Sequence, residues 1–436
     1  MKRSIGMTVA LLVVLFTPLA IWAQTTVNLW DFLSGGDGVR WKAIINEFNT
    51  GQSDINVQGT TLTWGDPFYT KVHTAVVAGE TPDVMTYHLS HFPAGIQAGD
   101  LRPITEAELK TVDLSYKDFN PVLVDTSLAI SKAYGTEGVL YGIPLDTHTS
   151  IIYFNANILR KAGLLGANGR PLASAFTGMA NFTRSLQKIK SSTGMLPLAM
   201  SSANDPATVW RMWSTLFYQQ GGNLASGGNI MLDQVDTLGK TALQVMTDWT
   251  TKGLIPANAA YPDAIALFSS GKAAFMVNGN WEVPTMVDLE KSGKLPFKFG
   301  VMAFPKLYAN QQTWADSHNI AIPNNTKTPI SDDMVHAVLT FVAFVEKHAD
   351  EWASGGHLPA YLPVLNGPTL AKLYPVNQYA AQAAKDVRLE PVNPIFGVGA
   401  PTYDAAGNFL SPALLGNLTV ADAIQKFKDD LQSLSQ

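Results

Sequence analysis

Between residues 27 and 104 the apolar positions switch repeatedly between two periods. Val27 and Leu29 alternate with polar neighbours, which predicts a strand. A glycine-rich turn at Gly35, Gly36 and Gly38 leads to Trp41, Ile44, Ile45 and Phe48, which recur at helical spacing until Gly51. Ile55 and Val57 predict the next strand. Asp66-Pro67 reads as an N-cap followed by proline at the first helical position, with Phe68, Val72, Ala75 and Val76 as the buried face and Gly79 as the stop. Pro82-Asp83-Val84-Met85 then turns into a short buried strand, and Leu101 to Ile104 closes the segment.

The later pattern is of the same kind. Tyr141-Gly142-Ile143-Pro144 precedes Ile151 to Phe154, a strand too apolar for an exposed edge and predicted to cross between two halves of the molecule. Residues 181–291 read mainly as helix, with turns at Gly221-Gly222, Gly227-Gly228 and Gly253. Strand character returns at 299–304 and 319–322. A helix with Val335, Val338, Leu339, Val342 and Val345 on one face follows, and the chain ends in helix. Alternating strands and helices predict an α/β fold, with parallel sheets covered by helices on both faces.

Composition narrows the possibilities. With 436 residues, 46% of them hydrophobic and 15% charged, the chain has apolar surface for two domains. A net charge of -5 provides no basic stripe, which argues against nucleic acid as a partner. There is no cysteine, which removes disulfides, thiolate chemistry and a lipidated cysteine anchor. Lys2 and Arg3, then an apolar run from Met7 to Ala23 broken by Pro18, then polar Gln24, predict a secretory signal peptide over 1–23. A periplasmic protein is the expectation.

Five ordered blocks carry a resemblance. They are Ala78-Gly79-Glu80-Thr81-Pro82-Asp83-Val84; the stretch YGIPLDTHTSIIYFN from Tyr141; LFSSGKAAFMVNGNW from Leu267 to Trp281; Gly300 to Pro305 continuing to Ser317–Pro323; and Gly355-Gly356-His357-Leu358-Pro359. Together they resemble the extracellular solute-binding proteins of ABC transporters, family 1, which are sugar-binding and of the maltose-binding type. The resemblance implies a two-lobe periplasmic-binding-protein type II fold with the ligand in a cleft between lobes. By analogy, 27–143 plus 300–348 form one lobe and 144–299 plus 349–436 the other. It further implies a monomeric, non-enzymatic protein without cofactor, which binds a carbohydrate and delivers it to ABC permease subunits in the inner membrane.

A sugar needs an aromatic face for its C–H surface and paired donors and acceptors for its hydroxyls. Trp281 ends the Gly279-Asn280-Trp281 motif, where the family places its stacking aromatic, and Asn280 stands beside it. Asp146 and His148 follow Pro144 in the crossing block. His148 and His88 occupy positions where many relatives carry Asp. Trp30 and Asp31 end the first strand, where α/β sheets aim at ligands. Trp64 offers a second aromatic wall, and Asp316 and His318 lie on the return segment. Trp210, His357 and Tyr361 are weaker candidates, because aromatic residues at such spacings commonly belong to a core.

Other readings stay open on the sequence. A secreted glycosidase needs two carboxylates across a scissile bond, but there is no GxSxG, HExxH or Walker-type motif. An anionic solute such as a sugar phosphate or glycerol phosphate would want Arg or Lys, of which the motif positions offer few. A metal would need three or four converging ligands, and no tight histidine spacing demands one. A membrane sensor in place of a permease would leave the binding chemistry unchanged.

Overall fold

Strand-forming segments of both halves gather into two large sheets, beside two small two-stranded ones, in the computed structural model, which describes residues 24–202, 205–226 and 229–435. The expected signal peptide and the Gly227-Gly228 turn lie outside the described residues.

In the first sheet the order is Ile55–Thr61, Thr25–Asp31, Val84–His88, His318–Pro323 and Leu101–Arg102, with the first three parallel. His318–Pro323 enters antiparallel to Val84–His88 and also pairs with Ile143–Pro144. The second sheet is built around Asp146–Asn155, buried at every one of its ten positions. Ala273–Gly279, Phe299–Ala303, Thr313–Asp316 and Leu358–Pro359 all register antiparallel along it. A strand buried at every position belongs at the centre of a sheet, where both of its faces are covered.

The chain passes between the sheets at sharp points. Pro144 pairs in the first sheet and Asp146 in the second, so Leu145 is one passage. Asp316 pairs in the second and His318 in the first, so Ser317 is another. The two passages are tied by the Leu145 N–H donating to the His318 carbonyl at 2.8 Å. This corrects the expected boundary near 300, because Phe299–Ala303 and Thr313–Asp316 pair with the second sheet. It also moves the boundary set at 348. The helix Ala349–Ser354 packs on Gly35–Gly51 through Trp352 and Trp41, 5.9 Å apart, and the third passage follows it.

Local signals mostly act as expected, with one correction. The helix Asp66–Ala78 is capped by Gly65, with Asp66 already inside the first turn and Pro67 following it. The Asp66 side chain makes no capping bond, and its charge sits instead at the positive end of the helix dipole. Gly79 closes that helix at φ +78°. The region 181–291, read mainly as helix, also contributes the strands Leu196–Ala199 and Ala273–Gly279.

The two halves touch on both flanks of the space between them. On one flank Arg40 donates both terminal nitrogens to Asp288 at 3.1 Å. On the other, the Val398 N–H donates to Ser90 Oγ at 3.1 Å, and His91 Nδ1 lies 2.9 Å from the Val398 carbonyl. Gly397 makes this second approach possible. Its φ is +106°, and a Cβ there would fall 2.4 Å from the Ser90 carbonyl oxygen.

Burial pushes His91 down to about 4, although the bond to Val398 opposes this. The unfolded chain therefore binds more protons than the folded one from about pH 6.5 down to that value. Stability contributed by neutral His91 is complete above that window and is lost as pH falls through it. Urea midpoints of wild type and His91→Gln should converge or cross on acidification, with wild type losing about 3 kcal/mol relative to the variant between about pH 7 and pH 4. A pH-independent difference would place His91 in a solvated setting.

Candidate functional site

The passages between the sheets converge on one carboxylate. Asp146 is fully buried, and an ion there is costly unless donors surround it. His318 Nδ1 lies 2.8 Å from Oδ2, and the Trp352 indole N–H donates to the same oxygen at 2.7 Å. The His318 backbone N–H donates to Oδ1 at 3.0 Å, and His148 Nδ1 lies 3.2 Å from it. His357 stands between two acids, with Nε2 3.0 Å from Asp37 and Nδ1 3.1 Å from Asp146, off the line of a hydrogen bond.

These contacts set the charges. Burial raises the Asp146 carboxyl, but His318 and His357 outweigh it and hold the group well below the usual carboxylate range. Burial lowers His357, yet Asp37 and Asp146 together leave it raised, a cation between two acids. Burial and the neighbouring His318 push His148 down to about 3. His88 is lowered well below its ordinary value by burial, then by His318, His148 and Arg211. His88 and His148 are therefore neutral at neutral pH.

Above this cluster lies a cavity of about 730 Å³ between the two sheets. Of the residues expected at the site, Trp64, His88, His148, Trp281 and His318 line it. Trp64 is 39% exposed and stands before the helix Asp66–Ala78. Trp281 follows Ala273–Gly279, and its indole N–H donates to the Tyr261 hydroxyl at 2.9 Å. The Trp281 ring lies against Gly279, where a Cβ would fall 2.0 Å from it. His88 stacks on Phe32 with centroids 4.5 Å apart, and its Nδ1 is 2.6 Å from the Tyr69 hydroxyl.

The other expected residues are placed beneath or beside the cavity. Asp146 is the buried hub. Asp316 accepts from Ser90 and from the Ser317 N–H, and burial pushes it up to about 6. Asn280 accepts from the Thr149 N–H at 3.1 Å and donates to the Gly356 carbonyl at 2.9 Å, tying strand to loop. Asp31 accepts from the Leu33 N–H at 3.1 Å and shapes the turn that carries Phe32 to the wall. Trp30 packs under the Lys71 ammonium, 5.0 Å from its ring. Among the weaker candidates, Trp210 donates to Glu390 at 2.7 Å within the core, and Tyr361 packs edge-on to Phe119.

Sequence reasoning missed Arg211, Tyr261, Glu282, Asp37 and Tyr403, all on the cavity wall. Arg211 had a legible signal: it is the one charge in the helix Pro206–Gln219, which is buried from Ala207 to Gln219. Tyr261 donates to Glu282 at 3.1 Å, and burial raises that carboxyl. The wall thus combines indole faces, imidazoles, two phenols, carboxylates and one guanidinium. As for metals, donor atoms of Asp146, His148, His318 and His357 lie within 4.8 Å of one another, a spacing an ion could bridge, but these atoms already face each other in the contacts above.

The family model for bacterial extracellular solute-binding proteins matches residues 34–351, more than half of the chain, and the protein belongs to that family. Among individual relatives, the chain is similar to the arabinooligosaccharide-binding protein of Bacillus subtilis (strain 168), 25% identical over 273 residues. That match covers 61% of this chain and only 57% of the relative. The fold is that of the GacH receptor of Streptomyces glaucescens GLA.O, solved unliganded and with acarbose, at a TM-score of 0.76 and 20% identity over 94% of this chain and 98% of that one. The cyclic alpha-maltosyl-1,6-maltose binding protein of Arthrobacter globiformis matches at a TM-score of 0.70 and 18% identity, covering 95% and 99%.

Removing the charge at the hub tests its role. Asp146→Asn keeps the shape but leaves imidazole donors facing an amide, and should cost about 3–5 kcal/mol in urea denaturation. A loss under about 1 kcal/mol would show that the histidines need no carboxylate.

Proposed function

We propose that this protein is the substrate-binding component of an ABC importer, which holds a carbohydrate in the cavity between its lobes and presents it to permease subunits from the periplasm. The observation that carries the reading is the cavity itself. Its volume of about 730 Å³ falls within the ~300–1,000 Å³ range of small-molecule sites. Its wall offers two indoles from opposite halves, Trp64 and Trp281, with His88, His148, His318, Tyr261 and Glu282 between them.

That pairing suits a sugar ring, whose C–H face packs on an indole while its rim of hydroxyls bonds to imidazole, phenol and carboxylate. Because the wall is drawn from both sheets, a ligand contacting both stabilises the arrangement in which they meet. The family assignment supports transport, and the similar proteins solved with acarbose or named for arabinooligosaccharides and cyclic maltosides support a carbohydrate. On this reading the chain binds without catalysis, acts as a monomer and loses residues 1–23 on export.

Thermal-shift measurements on residues 24–436 against mono- and oligosaccharides, polyols and sugar phosphates test it. A carbohydrate class should raise the melting midpoint in step with occupancy and be recovered unchanged. Trp64→Ala should weaken that ligand at least about tenfold while leaving unliganded stability within about 0.5 kcal/mol, since the ring is partly exposed. Silence from every carbohydrate would overturn the reading.

A further inference from the structure

Arg211 is 8% exposed, lines the cavity, and has no carboxylate within ion-pair distance among the described residues. Its Nε has no hydrogen-bond partner. A guanidinium cannot release its proton, so this is a buried charge. What surrounds it is mainly aromatic: the centres of the Trp314, Trp281 and Trp64 rings lie 4.5, 4.8 and 5.5 Å from the guanidinium carbon. The Tyr403 hydroxyl lies beside it. Cation–π contacts replace only part of the hydration a buried ion loses, and no anion faces the guanidinium among the described residues. The site is therefore a cation short of its counterion.

No nearby acid pairs with it among the described residues. Glu390 accepts through Oε1 from the indoles of Trp210 at 2.7 Å and Trp314 at 2.6 Å and from the Tyr403 hydroxyl at 3.3 Å, while its Oε2 is buried without a hydrogen bond, and Asp316 is held by Ser90 and Ser317. On the wall, Asp37 faces His357, Asp205 accepts from Ser201 and Thr208, and Glu282 accepts from Tyr261. Asp66 and Asp404 are exposed. Among the described residues no lysine and no second arginine lines the cavity.

We propose that the carbohydrate bound here carries a carboxylate, as a hexuronic acid does, and that Arg211 supplies its counterion between the indoles of Trp281 and Trp64. This rests on the carbohydrate reading and narrows it. One guanidinium balances one negative charge. A phosphate monoester carries about −1.5 to −2 at neutral pH and would leave excess charge beside the acids of the wall. A planar carboxylate also matches the guanidinium fork in two parallel bonds.

Calorimetric titration of residues 24–436 with glucuronate, galacturonate and their di- and trisaccharides, beside glucose, galactose, the matching neutral oligosaccharides and their phosphates, decides this. The preferred uronide should bind at least about thirtyfold more tightly than its neutral counterpart, and Arg211→Gln should bring that ratio close to one. A neutral sugar bound as well or better would overturn the carboxylate and leave the carbohydrate reading standing. Preference for a sugar phosphate would overturn it too, and failure of every sugar would overturn both. A readout free of ligand guards against misfolding. Arg211→Gln should leave the unliganded midpoint unchanged or raise it, whereas a fall of more than about 5 °C would show the guanidinium already satisfied within the protein, and would overturn the proposal.

Discussion

A carboxylate out of reach of water governs the geometry between the two sheets. Asp146 begins the strand on which the second sheet is assembled, and its partners come from each passage of the chain between halves: the donors His148 from its own strand, His318 from the return and Trp352 from the last, with His357 beside them as a charge. A buried ion loses several kcal/mol of hydration unless these groups converge on it. The requirement acts as a positional constraint, since moving any one passage removes a donor that water cannot replace. The floor of the cavity is fixed in this way, and two of the imidazoles presented to it, His88 and His148, are neutral at neutral pH.

The wall above that floor has a different logic. Indoles, imidazoles and a phenol there have partners within the protein: Trp281 on Tyr261, His88 on Tyr69, His148 on Asp146. Such bonds hold the rings in orientation before any solute arrives, which lowers the ordering cost of binding. Arg211 lies among rings on that wall and meets no carboxylate among the described residues.

Much of the fold was legible because the hydrophobic period reports directly on which faces are covered. The opening strands and helices, the apolar crossing strand and the tryptophan after Gly279 all stand as patterns in the chain. Direction was not legible. Asp146 and His148 share one face of a strand, two residues apart, yet one is sealed beneath the cavity and the other lines it. Asn280 neighbours Trp281 but is turned to Thr149 and Gly356. Motif position places a residue near the cleft, and only the packing around it decides which way the side chain faces. The lobe boundaries moved for a related reason: strand pairing over 299–316 is a long-range choice that local periodicity does not encode. Arg211 could have been read as the one charge of a helix whose tryptophans otherwise mark it as core, but nothing local tells that it faces the cavity.

The two flanks that join the halves differ in kind. The Arg40–Asp288 pair has its acid half exposed, so dissolved salt weakens it. The Ser90–Val398–His91 contact is buried, uncharged at neutral pH and closed around a glycine, and salt leaves it intact. The two halves are consequently held by one contact that ionic strength tunes and by another that it does not.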